Sequence, residues 1–164
     1  MNKNGTARDV ILIVVVMFSL AFALFVLNFF ANTAIDNMIS TDVINESSET
    51  VEALESTQDL TERFDYIGFA VFMGLTLALL ITGWLVGGHP IFMIIYFIMV
   101  IIGVAISAVF ANVWETISQA SVFGATIANF PILNHLLSYF PIYISVIGVA
   151  GLIVMFAKPY IVQE

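Results

Sequence analysis

Two long apolar runs, 66–86 and 90–111, follow each other with only Gly87, Gly88 and His89 between them. Neither run contains an Asp, Glu, Lys or Arg. A helix of about 20 residues is about 30 Å long, which matches the hydrocarbon thickness of a lipid bilayer. We therefore expect these two runs to form a pair of membrane-spanning helices joined as a hairpin.

Two further apolar runs, 10–31 and 140–157, flank this hairpin. Only 10% of the residues are charged, whereas a soluble domain has about a quarter. Lipid must therefore surround most of the chain. Backbone N–H and C=O groups inside the lipid must be hydrogen-bonded to each other, either in helices or in a closed barrel. Unbroken runs favour helices, because barrel strands alternate in polarity. The sequence predicts an all-α integral membrane protein, one membrane domain over 1–164 with four transmembrane helices.

The first run, 10–31, is longer than the apolar core of a signal peptide. It also leads into residues 32–35 without an obvious Ala-x-Ala cleavage site. We therefore expect a retained first span, and a cleaved signal is the alternative. Both termini then lie on one side of the membrane. That side holds Lys3, Arg8 and Lys158, so the tendency of basic residues to stay inside predicts cytoplasmic or interior termini.

The segment 32–65 carries nine of the twelve acids. From residue 42 onward they recur every three or four residues, which keeps their carboxylates on one helical face. We expect an acidic amphipathic helical segment outside the membrane, and three interpretations stay open: a docking surface for a basic partner, a solvated face, or loose binding of divalent cations. The candidate partner-docking residues are Glu46, Glu49, Glu52, Glu55, Asp59 and Glu62.

The segment 112–139 mixes apolar residues with Trp114, Glu115 and His135. We expect one or two short amphipathic helices there, lying at the membrane interface and broken at Pro131.

Small residues recur within the apolar runs at spacings that allow helices to approach closely. The candidate helix-packing residues are Gly83, Gly87, Gly103, Ser107, Gly148 and Gly151. Asn28 lies near the end of the first run, where its amide either bonds to another helix or reaches the interface. Hydroxyls such as those of Thr76 and Thr82 are weak evidence for a pore, because they can bond to their own helix.

The sequence predicts a protein that is not an enzyme and holds no cofactor or metal. It has no cysteine, and its two histidines, His89 and His135, fall in loops expected on opposite sides of the membrane. The spans contain no charged residue of the kind that pumps and proton-coupled transporters use, so we also expect no buried charge. With four Lys and Arg in all, the chain is a poor candidate for binding nucleic acid.

The stretch Phe130-Pro131-Ile132-Leu133-Asn134 through Phe140-Pro141 and the glycine-bearing fourth span resemble small multi-span membrane proteins of viruses with an internal lipid membrane. The resemblance implies a virion membrane component that organises the bilayer and contacts the capsid through its acidic segment. More generally, the residues predict a structural membrane protein that packs with copies of itself or with other membrane or capsid chains. The alternatives are a holin-like or passive channel-forming protein and an accessory subunit of a membrane enzyme complex.

Overall fold

The computed structural model describes residues 5–41, 46–86 and 90–161. Every regular element within these ranges is a helix, which confirms the all-α prediction. Four of the helices contain a stretch long and apolar enough to cross a membrane. In chain order the elements are α1 (Gly5–Ile39), α2 (Ser48–Glu62), α3 (Phe64–Val86), α4 (Pro90–Ser118), a 3₁₀ turn (Ser121–Phe123), α5 (Gly124–Ala128), α6 (Pro131–Ser138) and α7 (Phe140–Ile161).

The long helices α1, α3, α4 and α7 contain the four predicted apolar runs but extend beyond them. Helix α1 continues to Ile39, and α4 continues to Ser118. The length of an apolar run reflects the thickness of the hydrocarbon layer that the run can cross. A helix can be longer, because it continues as far as its backbone hydrogen bonds do. The predicted break at Pro131 is confirmed. This proline opens α6 at a position where its missing N–H needs no partner.

The long helices form a bundle in which α1 packs against α3 and α4, and α7 packs against the same two. Helices α3 and α4, which follow each other in the chain, therefore lie across the bundle from each other, with α1 and α7 between them. Glycines explain why α7 fits between them. Gly148 lies against the side chain of Val100 on α4, and the carbonyl of Gly151 lies close to Gly83 on α3.

One end of the bundle has an aromatic core. Trp114 and Phe130 are fully buried and both meet Phe25 edge to face, with ring centroids 5.0 and 5.9 Å from it. Helix α6 adds the buried side chains of Leu133 and Leu137. The segment 112–139 thus buries its largest side chains within the protein, and its position at the membrane interface stays a prediction.

The outward faces of the four long helices are also apolar. Large hydrophobic side chains more than half exposed occur along all four, among them Leu12, Leu27, Phe30, Leu77, Ile81, Ile94, Val109, Ile142, Val146, Ile153 and Phe156. A soluble bundle would carry polar residues on these faces. This surface is compatible with an integral membrane protein.

Candidate functional site: an anchored acidic helix

Helix α2 presents its carboxylates away from the rest of the protein. Five of the six candidate docking residues are exposed, and none of them forms an ion pair within the part of the chain that the structure describes. The half-buried Val51 and Leu54 lie on another face of the helix. The side chain of Glu62 lies outside the described residues. The five exposed residues are Glu46, Glu49, Glu52, Glu55 and Asp59.

A buried hydrogen-bond network fastens the end of α2 to α1. The Nδ2 of Asn28, whose side chain is 0% exposed, donates to the carbonyl oxygen of Thr61 at 2.8 Å. Asn32 donates from Nδ2 to Asn28 Oδ1 at 3.1 Å. The Thr61 hydroxyl lies 2.8 Å from Asn32 Oδ1 and the same distance from the carbonyl of Gln58, so it can donate its proton to either. Of the two interpretations of Asn28, the bond to another helix is therefore correct.

Asp65, at the start of α3, holds the beginning of another helix. Its side chain is 2% exposed, and its two carboxylate oxygens accept the backbone N–H groups of Ile132 at 3.0 Å and Leu133 at 2.7 Å. Both N–H groups belong to the first turn of α6, which has no partner for them within the helix. A negative charge is favourable at that position because the helix dipole is positive there.

The buried Asp65 contradicts two expectations from the sequence. It continues the spacing of the acidic stripe yet is not on the exposed face, and it makes the expectation of no buried charge wrong. The physical reason is that α2 ends at Glu62 and a new helix begins at Phe64, so the helical period does not continue from one to the other. Sequence reasoning therefore missed this residue, and its position just before an apolar run was the available signal.

Trp114 makes a second polar link to α6. Its indole Nε1 donates to Asn134 Oδ1 at 3.0 Å, although the ring itself is fully buried. Helix α6 is thus tied to α3 through Asp65 and to α4 through Trp114. The sequence did not reveal this pair, because nothing in the spacing of residues 114 and 134 indicates that they meet.

The described candidate packing residues lie at contacts within this one chain. Gly83, Gly103, Ser107, Gly148 and Gly151 are all buried. Gly103 faces α1: a Cβ there would lie 3.7 Å from the side chains of Val10 and Val14. Ser107 donates its hydroxyl to the carbonyl of Val104 at 2.8 Å, within its own helix. Gly87 lies outside the described residues.

Other hydroxyls in the long helices also bond to their own backbone. Thr76, Thr82 and Ser145 donate to carbonyl oxygens four residues earlier in their helices, at 2.7–2.9 Å. His135 is exposed on α6, and its ring centroid lies 4.8 Å from that of Tyr139. His89 lies outside the described residues. Among those described, no group of three His, Cys, Asp or Glu side chains is placed to hold a metal ion.

Comparison of the chain with protein-family models, with curated protein sequences and with solved structures finds no match.

Proposed function

We propose that this chain is a non-enzymatic structural membrane protein that packs within a larger assembly. Helices α1, α3, α4 and α7 cross the bilayer, with both termini on the cytoplasmic or interior side. Helix α2 stands outside the membrane as a docking surface for a basic region of another membrane or capsid chain. Lipid and these protein chains are its partners, in a homo- or hetero-oligomer.

The observation that carries the proposal is the combination of free carboxylates with a fixed helix. The exposed acids of α2, such as Glu52 and Glu55, have no cationic partner among the described residues of their own chain. Yet the helix is fastened by a buried bond from Asn28 to Thr61. A helix needed only for solubility has no use for such a bond. A fixed row of charges loses little conformational entropy when a partner binds.

Two features favour a structural protein over a holin-like or channel-forming one. Four hydroxyls in the long helices donate their protons to carbonyl oxygens of their own helices, those of Thr76, Thr82, Ser107 and Ser145. The described interior is filled with packed apolar side chains, including the stacked pair of Phe18 and Phe110, whose ring centroids are 4.3 Å apart. A water-filled pore needs polar groups that point into it.

The resemblance to virion membrane proteins makes a capsid protein the first partner to test. Charge complementarity defines the surface sought on that partner, because a row of carboxylates is recognised by Lys and Arg. A subunit of a membrane enzyme complex with a basic face outside the membrane would satisfy the same chemistry.

The experiment removes four of the charges of the docking surface without changing its shape. The variant combines Glu49→Gln, Glu52→Gln, Glu55→Gln and Asp59→Asn. We expect it to enter the membrane normally and to lose the proteins that cross-link to the wild-type chain, as measured by quantitative mass spectrometry of purified membranes or particles. Raising the salt concentration should weaken the wild-type interaction in the same way, because salt screens exposed charges.

A matched control carries Asp36→Asn and Glu115→Gln, which remove exposed acids from outside α2. This control should retain the cross-linked partners. If the four-residue variant retains them as well, α2 is not the docking surface. If the wild-type chain has no protein partner and instead releases dye from vesicles as a free oligomer, the structural role is wrong and the channel-forming alternative replaces it.

A further inference from the structure

A groove with a volume of about 450 Å³ lies between α3, α6 and α7. Its lining includes the exposed side chains of Phe69 and Met73 on α3 and of Val146 on α7, so it opens on the outer surface of the bundle. The buried side chain of Leu136, on α6, also belongs to the lining and lies on its inner side. Sites for small molecules have volumes of about 300–1,000 Å³, so this groove is large enough to hold a ligand.

The lining of the groove favours an apolar occupant over water. Among its residues only Thr76, His135 and Tyr143 have an oxygen or nitrogen atom in the side chain. The hydroxyl of Thr76 donates its proton to the carbonyl of Phe72 at 2.9 Å, within its own helix. A space of this size would hold many water molecules, each of which needs two to four polar partners. Hydrocarbon needs none.

The depth of the groove suits one leaflet of a bilayer. Along α3 it extends from Phe69 to Thr76, which is about 10 Å at 1.5 Å per residue. Half of the hydrocarbon layer of a bilayer is about 15 Å thick. The groove begins at α6, near the end of the bundle where α2 joins α3. It therefore belongs to the leaflet on the side of α2.

The groove is also narrow and formed in advance of binding. Helices α3 and α7 pack against each other, and the axes of packed helices lie about 8–10 Å apart. A helix from another chain is about 10–12 Å wide with its side chains, so it cannot enter between them, whereas an acyl chain can. Helix α6 is held in place beside the groove by the carboxylate of Asp65 and the indole of Trp114.

His135 adds a polar group to the lining at the α6 end. Its side chain is exposed, and its ring lies 4.8 Å from that of Tyr139 and 6.3 Å from that of Tyr143. The imidazole has no hydrogen-bond partner within the part of the chain that the structure describes. An imidazole N–H can donate a hydrogen bond to an ester or phosphate oxygen. An apolar groove with a donor at its outer end matches an amphiphile.

We propose that the groove binds one phospholipid from the leaflet on the side of α2. One acyl chain lies between α3 and α7, and the ester or phosphate oxygens lie at His135. The proposal rests on the part of the proposed function that places α3 and α7 across a bilayer, and it does not depend on docking by α2. This lipid stays bound when detergent removes the others.

The test fills the groove from its exposed edge with Val146→Trp. Val149→Trp is the matched control, because Val149 is also exposed on α7, about one turn away, and does not line the groove. The full chains are reconstituted in vesicles of phosphatidylcholine and phosphatidylglycerol, extracted in a mild detergent and weighed by native mass spectrometry. The wild type and Val149→Trp should retain one lipid per chain, and Val146→Trp should lose it. His135→Phe keeps an aromatic ring without a donor and should lower the lipid-bound fraction.

A phospholipid with a photoactivatable diazirine on its acyl chain locates the bound molecule in vesicles. Cross-links to the buried Phe72 and Leu136 would support the proposal, because both line the groove. Equal lipid retention by the two tryptophan variants would overturn it. Cross-links between two copies of the chain at the groove would overturn it in favour of a protein occupant.

Leu77→Cys separates a failure of this proposal from a failure of the proposed function. If a membrane-impermeant maleimide does not reach this cysteine in intact membranes and the folded wild-type chain still retains no lipid, only the groove proposal is wrong. If the cysteine is labelled in intact membranes, α3 does not cross the bilayer, and both proposals are wrong.

Discussion

Asp65 places a carboxylate in the interior of a chain that is 61% hydrophobic. The site is stable because both oxygens accept backbone N–H groups, those of Ile132 and Leu133, that α6 itself cannot satisfy. The carboxylate thus gains hydrogen-bond donors, and the N–H groups at the start of α6 gain acceptors. Hydrogen bonds to a charged acceptor are also stronger than those to a neutral one.

Replacing this residue, Asp65→Asn, should lower the free energy of unfolding by about 1–3 kcal/mol. The amide keeps one acceptor oxygen but turns an NH₂ group toward a backbone N–H, so one buried donor loses its partner. Chemical unfolding in detergent, followed by tryptophan fluorescence, measures the loss. Asp59→Asn makes the same chemical change on the exposed face of α2 and should have little effect. Equal stability of the two variants would show that the buried bonds contribute nothing.

Residue-scale predictions succeeded where a polar group interrupts an apolar run. Asn28 stands out in the run 10–31, and its bond to another helix was one of two stated alternatives. The same approach did not predict the burial of Asp65, because this residue lies just before the run 66–86 and fits the spacing of the acidic residues that precede it. The partner of Asp65 is the N–H group of Ile132, 67 residues later in the chain. No local sequence pattern indicates such a contact.

At the scale of elements, α2 is fixed at its C-terminal end by the network of Asn28, Asn32 and Thr61. Asn28→Ala removes the donor to the Thr61 carbonyl and one acceptor for Asn32. We expect faster amide hydrogen exchange across α2, with exchange in α4 and α7 unchanged, as measured by mass spectrometry. The exposed Asn37 provides the control, Asn37→Ala. Unchanged exchange in α2 after the loss of Asn28 would mean that other contacts hold the helix.

The packing of α7 on α4 depends on the absence of a side chain at Gly148. Gly148→Ala places a methyl group against the stiff, β-branched side chain of Val100, so we expect a loss of about 1–3 kcal/mol in the free energy of unfolding. Gly74→Ala is the matched control, because a Cβ there would meet nothing within 4 Å. That control should be neutral or stabilising, by up to about 1 kcal/mol, since alanine favours a helix more than glycine does. The same unfolding assay compares the two, and equal effects would contradict the close contact.

Sequence reasoning found the helices but not which of them are neighbours. The four long apolar helices and the break at Pro131 follow from hydropathy and from the chemistry of proline. Helices that are apolar on every side carry no stripe that points to the core. Adjacent position in the chain was therefore the remaining guide, and it does not reveal that α3 and α4 lie on opposite sides of the bundle.

At the scale of the whole molecule, the apolar outer surface predicts which positions lipid covers. The chain has no cysteine, so single cysteines can report exposure without further changes. We expect Glu52→Cys on α2 to react quickly with a membrane-impermeant maleimide in intact membranes. Leu77→Cys, on the outward face of α3, should react only after the membrane is dissolved and the protein is unfolded.

Vesicles of known orientation then give the side on which α2 lies. Labelling of Glu52→Cys from the cell exterior agrees with the proposed topology, and labelling only from the interior reverses it. Equal reaction rates at positions 52 and 77 in intact membranes would mean that α3 does not cross the bilayer.

The bond between Asp65 and α6 has a consequence for biosynthesis. Asp65 leaves the ribosome 67 residues before Ile132, so α3 and α4 are complete before the groups that satisfy this carboxylate exist. Until then, water must solvate this carboxylate, together with lipid headgroups if the long helices cross a bilayer as we propose. Closure of this end of the bundle is therefore a late event, and a nascent chain truncated before residue 132 should keep the carboxylate in contact with water.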